Sequence, residues 1–313
     1  CWRLARQLAH EHGLRTCLVV DDLGSFQRMA PAVVPDVPSQ RIAGIEVLRW
    51  RDELPAGTPA DLVIEAFACE LPAAYQLTMA QRDPAPVWVN LEYLSAEPWV
   101  ESHHLLPSPH PRLPLVKHFF LPGFTPRTGG LIRERNVVAP ADRTSSATNG
   151  DTPLCVFVFC YESASGEALA AGAERAGVTM RISTPVEAAL DKLQHWRASR
   201  AKSGWKAAPM LEFAGCDFVA QEAFDAVLAA NDVLFVRGED SFVRAQWAAR
   251  PFVWLIYPQE SGAHWQKLDA FLDQYCIGLD AAAAAALRDM WAAWNGAPGA
   301  DPEGVCRVRP SNS

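Results

Sequence analysis

Two consecutive α/β domains, each built on a mostly parallel sheet, are the fold class this sequence predicts. Three observations lead there. Apolar runs of strand length alternate with amphipathic helix patterns along most of the chain. A stretch rich in Ser, Thr, Asn, Gly and Pro interrupts that rhythm near the middle. The length, 313 residues, exceeds one ordinary domain.

The elements follow in order. CWRLARQLAHEHG puts Cys1, Leu4, Ala5, Leu8 and Ala9 on one helix face and Arg3, Arg6, Gln7 and His10 on the other, with Gly13 as a stop. LRTCLVVDD then reads as a strand. This pair is half of a β-α-β unit, and its first strand is expected to precede residue 1. ADLVIEAFA and PVWVNLEYL are predicted strands, with LPAAYQLTMAQ a helix between them. The first domain therefore spans residues 1–135 and the linker residues 136–153. The second domain, 154–290, restarts with the strand PLCVFVFCY and the helix ASGEALAAGAERAG. VTMRIS, PMLEFA, DVLFV and PFVWLIY follow as strands, separated by the helices VEAALDKLQHW, AQEAFDAVLAAN and SFVRAQWAAR. DAAAAAALRDMWAAW is a helix by propensity, and residues 291–313, lacking periodicity, are expected to be a tail. Two such domains predict a cleft between facing sheets, with ligand at the carboxyl ends of the strands.

Composition excludes several classes. The chain is 50% apolar, ample for real cores, so wholesale disorder is out. Its 28 Lys and Arg against 36 Asp and Glu leave a formal charge of −8, which argues against a nucleic-acid binder that neutralises phosphates. No apolar run reaches the roughly 18 residues that span a bilayer. The eight cysteines are scattered without a CxxC pair, so neither a disulfide scaffold nor a zinc site is predicted. The cytoplasm is the expected compartment.

The segment NDVLFVRGEDSFVRAQWAAR is the most informative. A buried strand ends at Arg237, Gly238 permits a tight turn, and Glu239, Asp240 and Ser241 lead into a helix. Strand, glycine turn and helix start together make a place where α/β proteins hold anions. Arg237 can fork onto a diphosphate and Ser241 can hold its oxygens, while Glu239 can meet a sugar hydroxyl or influence the reacting centre. The ordinary alternative is helix-start chemistry, with Asp240 or Ser241 as the N-cap. Two carboxylates beside a diphosphate also require a counter-cation, and Arg237 is the only local one.

Upstream, Phe218, Gln221 and Phe224 recur at spacing three, so two aromatics and an amide share a face that could clamp and read a nucleobase. A core-facing stripe explains the same spacing. Tyr161, ending PLCVFVFCY, is placed either to stack on a ligand or to cap the core. His103, His104 and His110 lack the spacing of a metal site. The basic stretch from Lys192, with Arg197, Arg200, Lys202 and Lys206 and the interleaved Trp196 and Trp205, reads as a solvated loop. Gly129-Gly130 has no dinucleotide or phosphate-loop motif around it.

The stretches CWRLARQLA, ADLVIEAFACELP, WVNLEYLSAE, KHFFLPGFTPRTGGLIRE and RGEDSFVRAQWAARPFVWLIYPQE resemble, in order, the protein-arginine rhamnosyltransferases that mature bacterial elongation factor P (EarP). The resemblance implies a GT-B-type glycosyltransferase of two Rossmann-like domains, inverting and metal-independent. It would use no cofactor, taking L-rhamnose from dTDP-β-L-rhamnose to one arginine of elongation factor P, which serves ribosomes stalled at polyproline. It implies that Phe218, Gln221 and Phe224 hold the thymine with Tyr161 nearby, that Arg237, Asp240 and Ser241 hold the sugar diphosphate, and that Glu239 is catalytic. It also implies a strand and a DNFGDIGV-type loop before CWRLARQLA, whose aspartates face the acceptor and supply the base. Without that loop the expectation is a donor-binding but catalytically incomplete fragment. A nucleotide-sugar transferase with another acceptor, or a noncatalytic nucleotide-binding module, fits the same residues. A nicotinamide-dependent dehydrogenase would need a GxGxxG motif, which the sequence lacks.

Overall fold

Apolar β-branched and aromatic runs bounded by glycine and proline become strands, and the alternation read above is realised in the computed structural model of the chain. It describes residues 1–50, 60–67, 69–137, 152–162, 164–202, 211–259 and 261–300. The chain divides into two units, Cys1–Asn136 and Val137–Ser313. Most of the predicted linker, residues 138–151, lies outside the described residues.

The first unit carries two sheets. One has β1 (Cys17–Val20) parallel to β3 (Ile45–Arg49), with β2 (Ser39–Ile42) antiparallel on its far side. Helices α1 (Trp2–His10) and α2 (Leu23–Met29) pack on it, burying Trp2, Ala5, Leu23, Phe26, Ile45 and Val47. The other runs β4-β5-β7-β6, where β4 (Leu62–Ala66), β5 (Val87–Leu91) and β7 (Val116–Phe120) are parallel and β6 (Pro107–Pro109) is antiparallel. Helix α3 (Ala73–Ala80) lies between β4 and β5 in sequence and α4 (Trp99–His103) between β5 and β6.

The polar face expected on α1 is corrected. Trp2 and Ala5 are core residues, and Arg3 is only 4% exposed. Its guanidinium forks onto both oxygens of Glu134, at 2.7 Å each, and reaches the Ile132 carbonyl. Gln7 donates to the Arg133 carbonyl, and Glu11 accepts from the Arg135 N–H. The last residues of the first unit are thereby laid along α1.

The second unit is one parallel sheet in the order β10-β9-β8-β11-β12. Its strands are β8 (Leu154–Val158), β9 (Met180–Thr184), β10 (Leu211–Gly215), β11 (Val233–Arg237) and β12 (Phe252–Leu255). Connecting helices are α5 (Gly166–Ala176), α6 (Glu187–Lys202), α7 (Phe224–Ala229) and α8 (Gly238–Trp247); α9 (Ala263–Tyr275) and α10 (Ala281–Trp294) follow. The chain winds outward from β8 to β10 and then returns to the other side of β8 for β11 and β12. The reversal places a topological switch point between β8 and β11, where open α/β sheets form a ligand crevice beyond the strand ends.

Two further expectations shift. The basic stretch from Lys192 to Lys202 is helical, not a loop: Arg200 pairs with Glu174 at 2.7 Å, and Arg197 lies 5.5 Å from the Phe213 ring centre. Trp205 and Lys206 lie outside the described residues. The predicted tail also begins too early. Helix α10 runs to Trp294, and Trp291 and Trp294 are buried against aromatic residues of the sheet and α9. Asn295 completes the docking: its Oδ1 accepts from the Ile256 N–H at 3.0 Å, and its Nδ2 donates to the Trp254 and Trp291 carbonyls at 2.9 Å. Asn295→Ala strands these backbone groups and is expected to lower stability by about 2 kcal/mol, measured as a reduced urea midpoint.

Candidate functional site

The residues that end β8 and β11 meet at the switch point. Phe157, Phe159 and Tyr161 alternate along the end of β8 and its continuation, so they share one face. Phe159 is the hub. Its ring centre lies 5.9 Å from Phe218, 5.4 Å from Phe224 and 6.4 Å from Phe157. Phe218, 47% exposed, and Phe224 belong to the segment between β10 and β11, and a 3-10 turn (Gln221–Ala223) between them carries Gln221. The spacing-three residues therefore do converge on one aromatic cluster, open at Phe218.

Arg237 closes this cluster on the β11 side. Its guanidinium carbon sits 4.7 Å from the Phe159 ring centre and 4.8 Å from that of Tyr161. Cation–π contacts of this kind stabilise by about 0.5–2 kcal/mol each. Ring faces, unlike carboxylates, leave the positive charge unneutralised. Tyr161 meets Tyr257, just beyond β12, edge to face at 5.8 Å. Burial pushes the Tyr161 phenol up, only partly opposed by Arg237, so it is a neutral hydroxyl at physiological pH.

Helix α8 starts without an intervening loop. Gly238 takes φ +64, a left-handed conformation that favours glycine, directly after Arg237. The ordinary helix-start reading is overturned here: the N-cap is Arg237, which makes no side-chain capping bond, and Asp240 and Ser241 sit inside the first turn. The helix-start amides thus carry no side-chain cap, and the positive end of α8 faces the same place as Arg237. The Ser241 hydroxyl, itself buried, donates to the Arg237 carbonyl, so it is tied to the turn. Behind the turn, Trp254 Nε1 donates to the Gly238 carbonyl at 2.8 Å, and Phe242 stacks on Trp254 at 4.2 Å.

The counter-cations missing from the local sequence come from further along the chain. Lys267, on α9, pairs with Glu239 at 3.1 Å. Arg244, 3% exposed, donates to Asp240 at 2.9 Å and to both oxygens of Asp225 at 2.8 Å. Gln221 Nε2 donates to the same Asp240 Oδ2 at 3.1 Å, while Gln221 Oε1 is buried and has no hydrogen-bond partner among the described residues. Of the eight sequence-predicted residues, Phe218, Phe224 and Arg237 meet around Phe159 and Tyr161, Gln221 bonds Asp240, Ser241 bonds the Arg237 carbonyl, and Glu239 stands in the same first turn of α8. Sequence reasoning missed Phe159, Tyr257, Lys267 and Arg244. Of these only Phe159 left a readable signal, the period-two alternation with Tyr161.

The histidines are used locally. His103 Nδ1 bonds the Trp99 carbonyl, His104 accepts from Leu121 N–H, and His110 accepts from the Arg112 and Leu113 N–H groups. Among the described residues no group of three or more His, Cys, Asp or Glu is arranged to hold a metal ion. Nor is any described helix long and apolar enough to cross a membrane.

A switch point lined by rings, a guanidinium without an acidic partner among the described residues and a helix start without a side-chain cap suits a ligand with a flat base and an anionic group. The family profile for the elongation factor P (EF-P) rhamnosyltransferase EarP matches residues 1–308. A protein-arginine rhamnosyltransferase of Pseudomonas putida is 42% identical over 310 residues, covering 94% of this chain and 82% of that protein. One of Pseudomonas aeruginosa is 39% identical over 313 residues, covering 95% and 83%. A solved structure described as the basis for EarP-mediated arginine glycosylation of translation elongation factor EF-P is similar with a TM-score of 0.52 at 27% identity, covering 97% of this chain and 80% of that one. The fold is of the GT-B glycosyltransferase class. The chain belongs to the EarP family of elongation factor P rhamnosyltransferases.

Proposed function

We propose that the chain transfers L-rhamnose from dTDP-β-L-rhamnose to an arginine side chain of elongation factor P, with inversion at the anomeric carbon, and that this modification serves translation of polyproline stretches in the cytoplasm. The acceptor follows from the family. The donor reading is carried by one observation: Arg237 held between Phe159 and Tyr161, without an acidic partner among the described residues, beside the uncapped start of α8.

On this reading thymine enters the aromatic cluster against Phe218 and Phe224, where each base–ring contact contributes about 1–3 kcal/mol. Gln221 Oε1, buried and without a hydrogen-bond partner among the described residues, is a ready acceptor for the N3–H of the base. Arg237 and the amides at the start of α8 receive the diphosphate. Asp240 serves differently from the expectation that it holds the diphosphate. A carboxylate repels that group, and its Oδ2 already accepts from Gln221 and Arg244. Its contribution to the anion is through its backbone N–H, and through its side chain it shapes the base pocket.

A guanidinium is a poor nucleophile because its lone pairs are delocalised and it stays protonated at neutral pH. The step needs a carboxylate on the acceptor side that aligns one nitrogen and takes its proton as the C–N bond forms, while the bond from the anomeric carbon to the diphosphate oxygen breaks on the opposite face. The departing dTDP gains negative charge, which Arg237 and the helix-start amides stabilise. Glu239, held by Lys267, supports the sugar electrostatically or through a hydroxyl.

Three measurements test this. Incubation with dTDP-β-L-rhamnose and elongation factor P is expected to add one deoxyhexose to a single arginine, read by mass spectrometry; dTDP binding without transfer would instead support the donor-binding fragment. Arg237→Ala and Phe218→Ala are each expected to weaken dTDP by about 2 kcal/mol, roughly thirtyfold in Kd by calorimetry, and unchanged affinity in both sinks the pocket assignment. Glu239→Gln is expected to lower kcat by about a hundredfold with dTDP affinity retained, and undiminished turnover removes Glu239 from the mechanism.

A further inference from the structure

A buried guanidinium is retained only where its partners are well aligned, because its desolvation is costly and a lone buried charge more so. Arg244 meets that condition with no ligand present. It is 3% exposed, whereas the side chains of its partners Asp225 and Asp240 are 46% and 42% exposed. The cation therefore lies beneath two carboxylates that rim the crevice. Burial alone would lower its pKa, but Asp240 and Asp225 more than offset that, so it remains charged. Its two contacts join separate elements: Asp240 is on α8, one turn before it, and Asp225 is on α7, directly after the turn that carries Gln221.

The consequence falls on an amide. Asp240 Oδ2, held by Arg244 Nε, accepts from Gln221 Nε2. An acceptor there dictates which end of the Gln221 amide faces Asp240, and the other end, Oε1, is the buried atom without a partner among the described residues. A fixed carbonyl in that position accepts from the N3–H of thymine or uracil. It repels cytosine, whose N3 is itself an acceptor.

We propose that Arg244 is a positioning residue for base specificity: by locking Asp240 to the Gln221 turn it holds the Gln221 amide in the orientation that accepts a thymine-type imide and rejects cytosine. The proposal rests on the donor-site reading above. Lysine in this place is a point charge that cannot fork onto both aspartates, so Arg244→Lys frees the amide to turn.

Calorimetry with dTDP and dCDP on the full chain tests it. The parent chain is expected to prefer dTDP by roughly tenfold or more, since a buried carbonyl facing a base acceptor is left unpaired. In Arg244→Lys that preference falls to about threefold or less, mostly through weaker dTDP binding. A general loss of stability would weaken both nucleotides alike and leave the ratio unmoved. Should Arg244→Lys fail to fold, Asp225→Asn, at a half-exposed position, takes its place and is expected to reduce the ratio by a smaller factor. A parent chain that binds neither nucleotide overturns the donor-site reading and this proposal with it. A parent chain that binds both equally, or a dTDP preference unchanged in the folded variants, overturns this proposal alone.

Discussion

Arg237 stands at the end of β11 against rings rather than acids, and the rest of the crevice is arranged around that condition. A guanidinium at a strand end would ordinarily find a carboxylate, and Glu239 and Asp240 are only two and three residues away. Each is occupied otherwise: Glu239 by Lys267 of α9, and Asp240 by Arg244 and Gln221. Phe159 and Tyr161 supply a surface that attracts the cation without cancelling it. This works because β8 and β11 are parallel neighbours, with Phe159 N–H donating to the Phe235 carbonyl at 2.8 Å, so their carboxyl ends are level.

Rigidity behind the turn matters as much as chemistry in front of it. The uncapped start of α8 is useful to an anion only if the helix does not move, since a preorganised dipole avoids reorganisation during reaction. Phe242 is packed among Phe252, Trp254 and Phe271, and Trp254 holds the Gly238 carbonyl. Phe271 and Phe252 in turn pack on Trp291, so α10 supports the sheet edge from which α8 is braced.

Legibility in the sequence follows the range of the interaction. The sheet of the second unit is readable because β8, β11 and β12, four or five residues long and largely buried, leave continuous apolar runs, and because its strands are followed by helices. Arg237, Gly238 and the acids after them are readable as a strand-to-helix turn, but their partners are not: Lys267 and Asp225 are distant in sequence and ordinary in type. Tail and core are confused at Trp291 because an alanine run speaks of helix propensity and not of what the helix covers. In the first unit, β2 and β3 are joined at Ala43-Gly44, both at positive φ, a tight turn written without the usual Asn-Gly or Asp-Gly signal. Arg3 reads as part of a polar face because its bidentate partner, Glu134, enters from the far end of the unit.

The charges around the crevice point to where selectivity and catalysis divide. Arg237, Arg244 and Lys267 are matched in number by Asp225, Glu239 and Asp240, so the background is close to neutral, with Arg244 and Lys267 paired to the acids and Arg237 set against rings. On the proposed donor reading, attraction for a diphosphate comes from geometry: Arg237 and the start of α8 face it, while Arg244, buried beneath Asp225 and Asp240, offsets one of their two negative charges. In the proposed transfer, charge grows on the diphosphate oxygen as the anomeric bond breaks, and only the groups that face it change their interaction energy. On the proposed donor reading, Arg237 and the amides of the first turn act on the rate, whereas Arg244, behind two carboxylates, acts on which base is held. On the same reading, one helix start serves both ends of the proposed donor, with the two tasks separated by a single turn of α8.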